Sequence, residues 1–145
     1  MKSPFRSSCP IASALDIIGD KWSLLIIRDM LLHHHMTFKQ FSESEERIAP
    51  SILSSRLKLL TSYELVTKHK QVTNKKENIY LLGEKAIELS SIIVDISLWG
   101  NEHLRTFNTI SDIEGLDQDR SVLIEQIKAR YTSMVAALEV EPCNL

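Results

Sequence analysis

Residues 48–82 read IAPSILSSRLKLLTSYELVTKHKQVTNKKENIYLL, and this stretch decides the fold. Along Pro50–Ser62, Leu53, Leu57 and Leu60 recur at helical spacing on one side, while Ser51, Ser55, Lys58 and Ser62 fall on the other. The spacing predicts a helix with one buried face and one face of small hydroxyls and a cation. Residues 65–73 and 78–82 then predict two strands, joined by the polar turn Asn74-Lys75-Lys76-Glu77. A slim polar helix followed by a lysine-rich hairpin suits a nucleic-acid duplex. Its outer face fits a major groove, and the hairpin cations meet phosphates.

The flanking segments supply the rest of a winged helix-turn-helix. Residues 9–18 predict a short helix with Pro10 at its first position, broken by Gly19 and Asp20. Residues 22–32, WSLLIIRDMLL, are apolar nearly all round and predict a central helix. Residues 37–43 predict a supporting helix, with capping-box spacing between Thr37 and Gln40 and a core side of Phe38 and Phe41. Residues 84–106 predict one long helix with Leu89, Ile92, Ile93, Ile96 and Trp99 in its main stripe and Ile87, Val94 and Leu98 off it. Residues 108–115 read as a connector and residues 119–138 as a last helix. In that helix Ile124, Ile127, Tyr131, Met134 and Leu138 are spaced 3, 4, 3 and 4, the seam of a helix seeking another helix.

The expectation is therefore a mainly α protein with a small β-hairpin wing. Residues 1–107 form a winged helix-turn-helix DNA-binding domain with an N-terminal helix, and residues 108–145 a helical dimerisation extension. Trp99, Ile124, Ile127, Tyr131, Met134 and Leu138 are the expected interface between two copies. The competing reading of the last helix is packing on its own domain. The tail EVEPCNL reads as frayed.

Composition narrows the function. A chain of 145 residues, 43% hydrophobic and 25% charged, suits one ordinary globular domain. Its formal net charge of -2 hides an asymmetry. Residues 56–76 hold six Lys or Arg against one acid, whereas residues 111–141 hold seven acids against three bases. Two cysteines, Cys9 and Cys143, make no disulfide framework, which points to a reducing cytoplasm. The start MKSPFRSSCP resembles neither a secretory nor a lipoprotein signal, and no apolar run approaches a membrane span. No nucleophile elbow, phosphate loop, metal-hydrolase pattern or carboxylate pair is present, so neither an enzyme nor a cofactor is expected. The run His33-His34-His35 cannot point one way on a helix, and favourable contact with a helix C-terminus explains it better than a metal.

The partner expected from these residues is double-stranded DNA. Ser51, Ser54 and Ser55 are candidate readers of base edges, and Arg56 and Lys58 reach phosphate or guanine. Lys68, Lys70, Lys75 and Lys76, with Asn74 at the wing tip, face phosphates, each lysine adding roughly one unit to the salt slope. Singly, the serines also suit a solvated helix face and the lysines a charged edge strand. Their occurrence on adjacent elements in this order favours DNA.

CPIASALDIIGDKWSLLIIRDML at the start of the chain resembles the opening signature of HxlR-type transcriptional regulators, winged-helix proteins near MarR. The matching features are Cys9-Pro10, the triplet Asp20-Lys21-Trp22 and Arg28. Phe38-Lys39-Gln40-Phe41 matches the supporting helix. Ile48, Leu53, Ser55, Arg56-Leu57-Lys58 and Leu60 match the recognition helix, Leu65-Val66 the entry to the wing, and Trp99-Gly100 the end of the helix after it. The resemblance spans residues 9–102. The chain departs from it in four places. Glu64 replaces a glycine, the wing lacks its proline, Tyr80-Leu81-Leu82-Gly83 replaces Tyr-x-Leu-Thr, and Ala49-Pro50 opens the recognition helix without a hydroxyl cap.

Cys9 is the candidate for chemistry, since a thiol at a helix N-terminus meets unpaired amides that stabilise thiolate. The resemblance implies a switch, in which oxidant or electrophile modification of Cys9, or a disulfide to a second copy, alters the spacing of two recognition helices. The plain alternative is an inert packed thiol. The function expected is a homodimeric cytoplasmic repressor on a pseudo-palindromic operator, with a small-molecule or oxidant effector. A winged helix serving protein–protein contact is the alternative, and a thiol redox enzyme is disfavoured by the lack of a resolving cysteine nearby.

Overall fold

The structure, a computed structural model, describes residues 2–108 and 113–142. In chain order the elements are α1 (Pro10–Ile18), α2 (Ser23–Leu32), α3 (Phe38–Ser42), α4 (Pro50–Ser62), β1 (Val66–Gln71), β2 (Asn78–Leu82), α5 (Glu84–Ile87), α6 (Ser90–His103), α7 (Arg120–Ala136) and β3 (Val140–Pro142). This is a winged helix. The helix starts follow local chemistry. Pro10 occupies the first turn of α1 behind Cys9. The Asp20 carboxylate accepts the amides of Trp22 and Ser23, each at 3.0 Å, and opens α2. Thr37 and Gln40 close the capping box of α3, with the Gln40 amide donating to Thr37 Oγ1 at 3.2 Å and the Thr37 amide donating to Gln40 Oε1 at 3.1 Å.

One hydrophobic cluster joins Ile27 and Met30 of α2, Phe41 of α3, Leu53 and Leu60 of α4, Val66 of β1 and Val94 of α6. Burying each such side chain stabilises by about 1.5–3 kcal/mol. The apolar face read along α4 lies within it, and β1 and β2 pair antiparallel from Val66↔Leu82 to Lys70↔Asn78.

The turn after α4 departs from the usual rule. The Leu65 amide donates to Leu60 O at 2.9 Å and the Glu64 amide to Thr61 O at 3.0 Å, the hydrogen-bond pattern of a Schellman cap. Its left-handed position is Glu64, at φ 59. A residue with a Cβ pays roughly 1–2 kcal/mol there, and the exposed Lys85–Glu64 pair at 3.2 Å offsets at most about 1 kcal/mol. The chain returns close overhead, where a Cβ on Gly83 would lie 2.5 Å from Glu64 O. Glu64→Gly is expected to stabilise the fold by about 0.5 kcal/mol or more, read as a higher urea midpoint. A lower midpoint would show that the Lys85 pair outweighs the backbone strain.

Three expectations are corrected. The helix expected over 84–106 is two, because the chain tightens at Leu89, whose amide donates to Ala86 O three residues back. Ile93 and Val94 face inward while Ile92, Ile96 and Trp99 are exposed, so the main stripe is divided between core and surface. The heptad residues of α7 are not an open seam. Ile124, Ile127 and Tyr131 are buried in the chain's own core where α7 lies against α2 and α6, and Met134 packs against the same cluster. Tyr131 is 1% exposed, and its hydroxyl accepts the Leu82 amide at 2.7 Å. Ile113 and the inner face of α7 therefore share one hydrophobic cluster with α2, α4 and α6. Lastly, Val140–Pro142 is not frayed but pairs antiparallel with His69–Gln71, giving the strand order β2-β1-β3. Cys143 lies outside the described residues.

Candidate nucleic-acid interface

α4 is held on three sides. Leu53, Leu57 and Leu60 anchor its inner face, α3 braces its start, and β1 continues from its end. The α3–α4 turn is pinned from behind by Arg28. Its Nη1 and Nη2 donate to Glu46 Oε1 and Oε2 at 2.7 and 2.9 Å, while Nε and Nη2 donate to Asp29 Oδ1 at 2.9 and 2.7 Å. The Arg28 hydrogen bonds hold the Glu46 carboxyl below its usual range, against a smaller upward push from burial.

The opposite face of α4 is open. Ser51, Ser54, Ser55, Lys58 and Ser62 are exposed and border one shallow surface with Arg56 and Leu59. Among the described residues the Ser51 and Ser54 hydroxyls have no hydrogen-bond partner and Lys58 no ion pair, so their donors point to solvent. Arg56 behaves differently. It is half-buried, with Nη1 3.6 Å from Asp20 Oδ1, and ties α4 to the start of α2. Burial pushes the Asp20 carboxyl up. The Ser23 hydroxyl, the Trp22 and Ser23 amides and the Arg56 charge more than reverse this, leaving it below its usual range.

The wing adds a second cationic element. Lys68 and Lys76 are exposed and Lys70 half-exposed, none of them ion-paired among the described residues. Lys75 lies 3.5 Å from Glu141 of β3. Asn74 shapes the tip, where its Oδ1 accepts the Lys76 amide at 3.3 Å. The structure thus brings Ser51, Ser54, Ser55 and Lys58 onto one open face, with Arg56 at its border and paired with Asp20, and puts the wing lysines on the element that follows.

Cys9 is exposed at the N-cap of α1, ahead of the free amide end of the helix. Arg6 does not attend it, being paired with Asp16 at 2.7 Å. The histidine run closes α2. His34 takes a left-handed φ of 54, and the His35 amide donates to Asp29 O at 3.1 Å. Burial holds the His35 ring below its usual pKa, more than offsetting the Asp29 charge. Among the described residues no three His, Cys, Asp or Glu side chains are grouped so as to hold a metal.

Two features were missed in the sequence. Ile11 and Leu15 are exposed four residues apart on α1, a pattern present in the sequence but masked by the shortness of the helix. An apolar cavity of about 170 Å³ lies between α2 and α6, walled by Leu24, Leu25, Leu32, Ile93 and Ile96, with Arg28 and Ser97 at its edge. No sequence signal could have found it, because its walls come from segments far apart in the chain, residues 24–32 and 93–97, with Ile113 completing them. No helix among the described residues is long and apolar enough to cross a membrane.

Comparison with known proteins places this arrangement. Residues 17–108 match the family model of the HxlR-like helix-turn-helix. The chain is 30% identical over 94 residues to Rv3095 of Mycobacterium tuberculosis, an uncharacterized HTH-type transcriptional regulator, a match covering 65% of this chain and only 58% of that protein. It is 30% identical over 106 residues to YybR of Bacillus subtilis, named in the same way, covering 69% of this chain and 79% of that one. Among solved structures, PA1607 superposes with a TM-score of 0.65 at 28% identity, covering 79% of this chain and 80% of that chain. The reduced form of the transcriptional regulator YodB from B. subtilis gives 0.54 at 27%, covering 70% and 100%. YodB is also known in quinone-bound and diamide-treated forms.

Proposed function

We propose the following from the premise that this chain belongs to the HxlR-like helix-turn-helix family and is an HTH-type transcriptional regulator: it acts in the cytoplasm as a homodimeric repressor on a pseudo-palindromic operator. The observation that carries the reading is the outer face of α4, where Ser51, Ser54, Ser55 and Lys58 stand open on the helix that leads into the lysine-bearing wing. Small hydroxyls let the helix sit deep in a major groove, with Lys58 and the wing lysines on phosphates. Two copies joined through exposed apolar residues, Ile11 and Leu15 of α1 and Ile96 and Trp99 of α6, would set two recognition helices about one helical turn apart. Of the interface residues read from the sequence, this keeps Trp99, which is 58% exposed. Repression follows from occupancy, since blocking a promoter needs no further contact surface.

The signal enters by one of two routes. Cys9 is accessible to an oxidant or electrophile, and YodB, known in diamide-treated and quinone-bound forms, offers a parallel. The cavity between α2 and α6 is the other route, because Arg28 at its edge also grips the α3–α4 turn through Glu46. Diamide is expected to release DNA from the parent chain and to leave Cys9→Ser bound. Release from Cys9→Ser at the parent's diamide concentration would remove the thiol from the switch.

The test of the reading is selection of bound duplex from a random pool, followed by affinity measurements across salt. The parent chain should lose affinity steeply with salt. Lys75→Ala/Lys76→Ala should flatten the slope by roughly two units while weakening all sequences alike. A parent chain indifferent to salt would favour a protein partner instead.

A further inference from the structure

The outer edge of the wing is occupied. β3 lies along β1 with Gln71 opposite Val140 and Lys70 opposite Glu141, and the Val72 amide donates to Glu139 O at 3.3 Å. Both acids of this segment, Glu139 and Glu141, are exposed, and Glu141 Oε2 lies 3.5 Å from Lys75 Nζ. An acidic strand is thus laid against the strand and tip that carry Lys68, Lys70, Lys75 and Lys76. Val140 is not part of the central hydrophobic cluster, and among the described residues the segment is held by three residue pairs of register and one exposed ion pair.

From this juxtaposition we infer that the edge of β1 is a docking surface for an acidic extended segment, and that its resident occupant, residues 139–142, competes with DNA for the wing. The inference rests on the wing contacting phosphates, as proposed above. Competition has two parts. Glu139 and Glu141 set negative charge where the duplex brings its own, well within a Debye length of about 10 Å at 0.1 M salt. The third strand also widens the ribbon to about 10 Å of backbone, against a minor groove roughly 6 Å wide. Full engagement of the wing therefore requires β3 to leave β1, freeing Lys75 from Glu141 for phosphate. Affinity is held below what the wing alone supports, and a factor that captured residues 139–142 would tighten binding.

The experiment compares the parent chain, Glu139→Gln/Glu141→Gln, and a chain shortened to end at Leu138, on the selected operator across salt. Both variants should bind about three- to tenfold tighter at low salt, with a slope steeper by about one unit or more. The Val72 amide of the parent should exchange faster once DNA is bound, because its acceptor on Glu139 has gone. Equal or weaker binding by the glutamine variant, whose exposed substitutions leave the fold intact, overturns the inference. Lys75→Ala/Lys76→Ala separates the two readings. If it binds like the parent at every salt concentration, the wing is not the DNA contact and the competition falls with that premise. If it binds more weakly while the glutamine variant is unchanged, the wing reading stands and only the competition fails.

Discussion

Arg28→Met is expected to destabilise the fold by roughly 3–5 kcal/mol, the cost of leaving a buried charge without its partner. The guanidinium is 11% exposed and the Asp29 carboxylate 5%. Methionine fills much of the volume but removes the donor contacts to Asp29 and Glu46. Adding Asp29→Asn should recover part of the loss, because the stranded charge then disappears. The pH profile should change as well. The folded pKa of Glu46 is depressed, so its pairing stabilises fully above the ordinary glutamate pKa and is lost as pH falls through the lowered value. The parent chain should lose this contribution in acid, and Arg28→Met should have none to lose. Urea unfolding at neutral pH and through a series of falling pH values measures both effects. A cost under about 1 kcal/mol would mean that the network contributes little and that the α3–α4 turn is held by packing alone.

Ser54→Glu is expected to abolish operator binding, by about 100-fold or more, with stability unchanged within roughly 0.5 kcal/mol. Ser54 is exposed and its hydroxyl has no partner among the described residues. A carboxylate there cannot disturb the core formed by Leu53, Leu57 and Leu60, but it would be driven against the duplex. Ser54→Ala, which only removes a hydroxyl, should cost about tenfold at most, the difference between losing a contact and introducing a repulsion. Fluorescence anisotropy on the selected operator reads both. Retained affinity in Ser54→Glu would move recognition away from this helix and leave the wing as the main contact.

Much of the candidate site was legible along the chain because its determinants are local. The 3.6-residue period separated the Leu53 face of α4 from the Ser54 and Ser55 face, and the capping box at Thr37 and Gln40 announced α3. The wing's strands and turn followed from polar residues at 74–77 between two β-prone runs. The ion pair of Arg56 could not be read locally, because its partner Asp20, 3.6 Å away, lies 36 residues earlier.

The sequence by itself determined the order of elements from α1 to β2, the winged-helix class, the open hydroxyl face of α4 and the cationic wing. Each depends on periodicity, capping or turn chemistry within about a dozen residues. Only the tertiary structure decided that α7 buries Ile124, Ile127 and Tyr131 against its own α2 and α6, that Ile96 and Trp99 face outward while Val94 faces in, and that Glu139–Glu141 lies along the wing. The reason is that hydrophobic attraction has no direction and a strand edge accepts any extended neighbour. A stripe or a short β-prone run states that it will be covered, and the three-dimensional competition among surfaces selects what covers it.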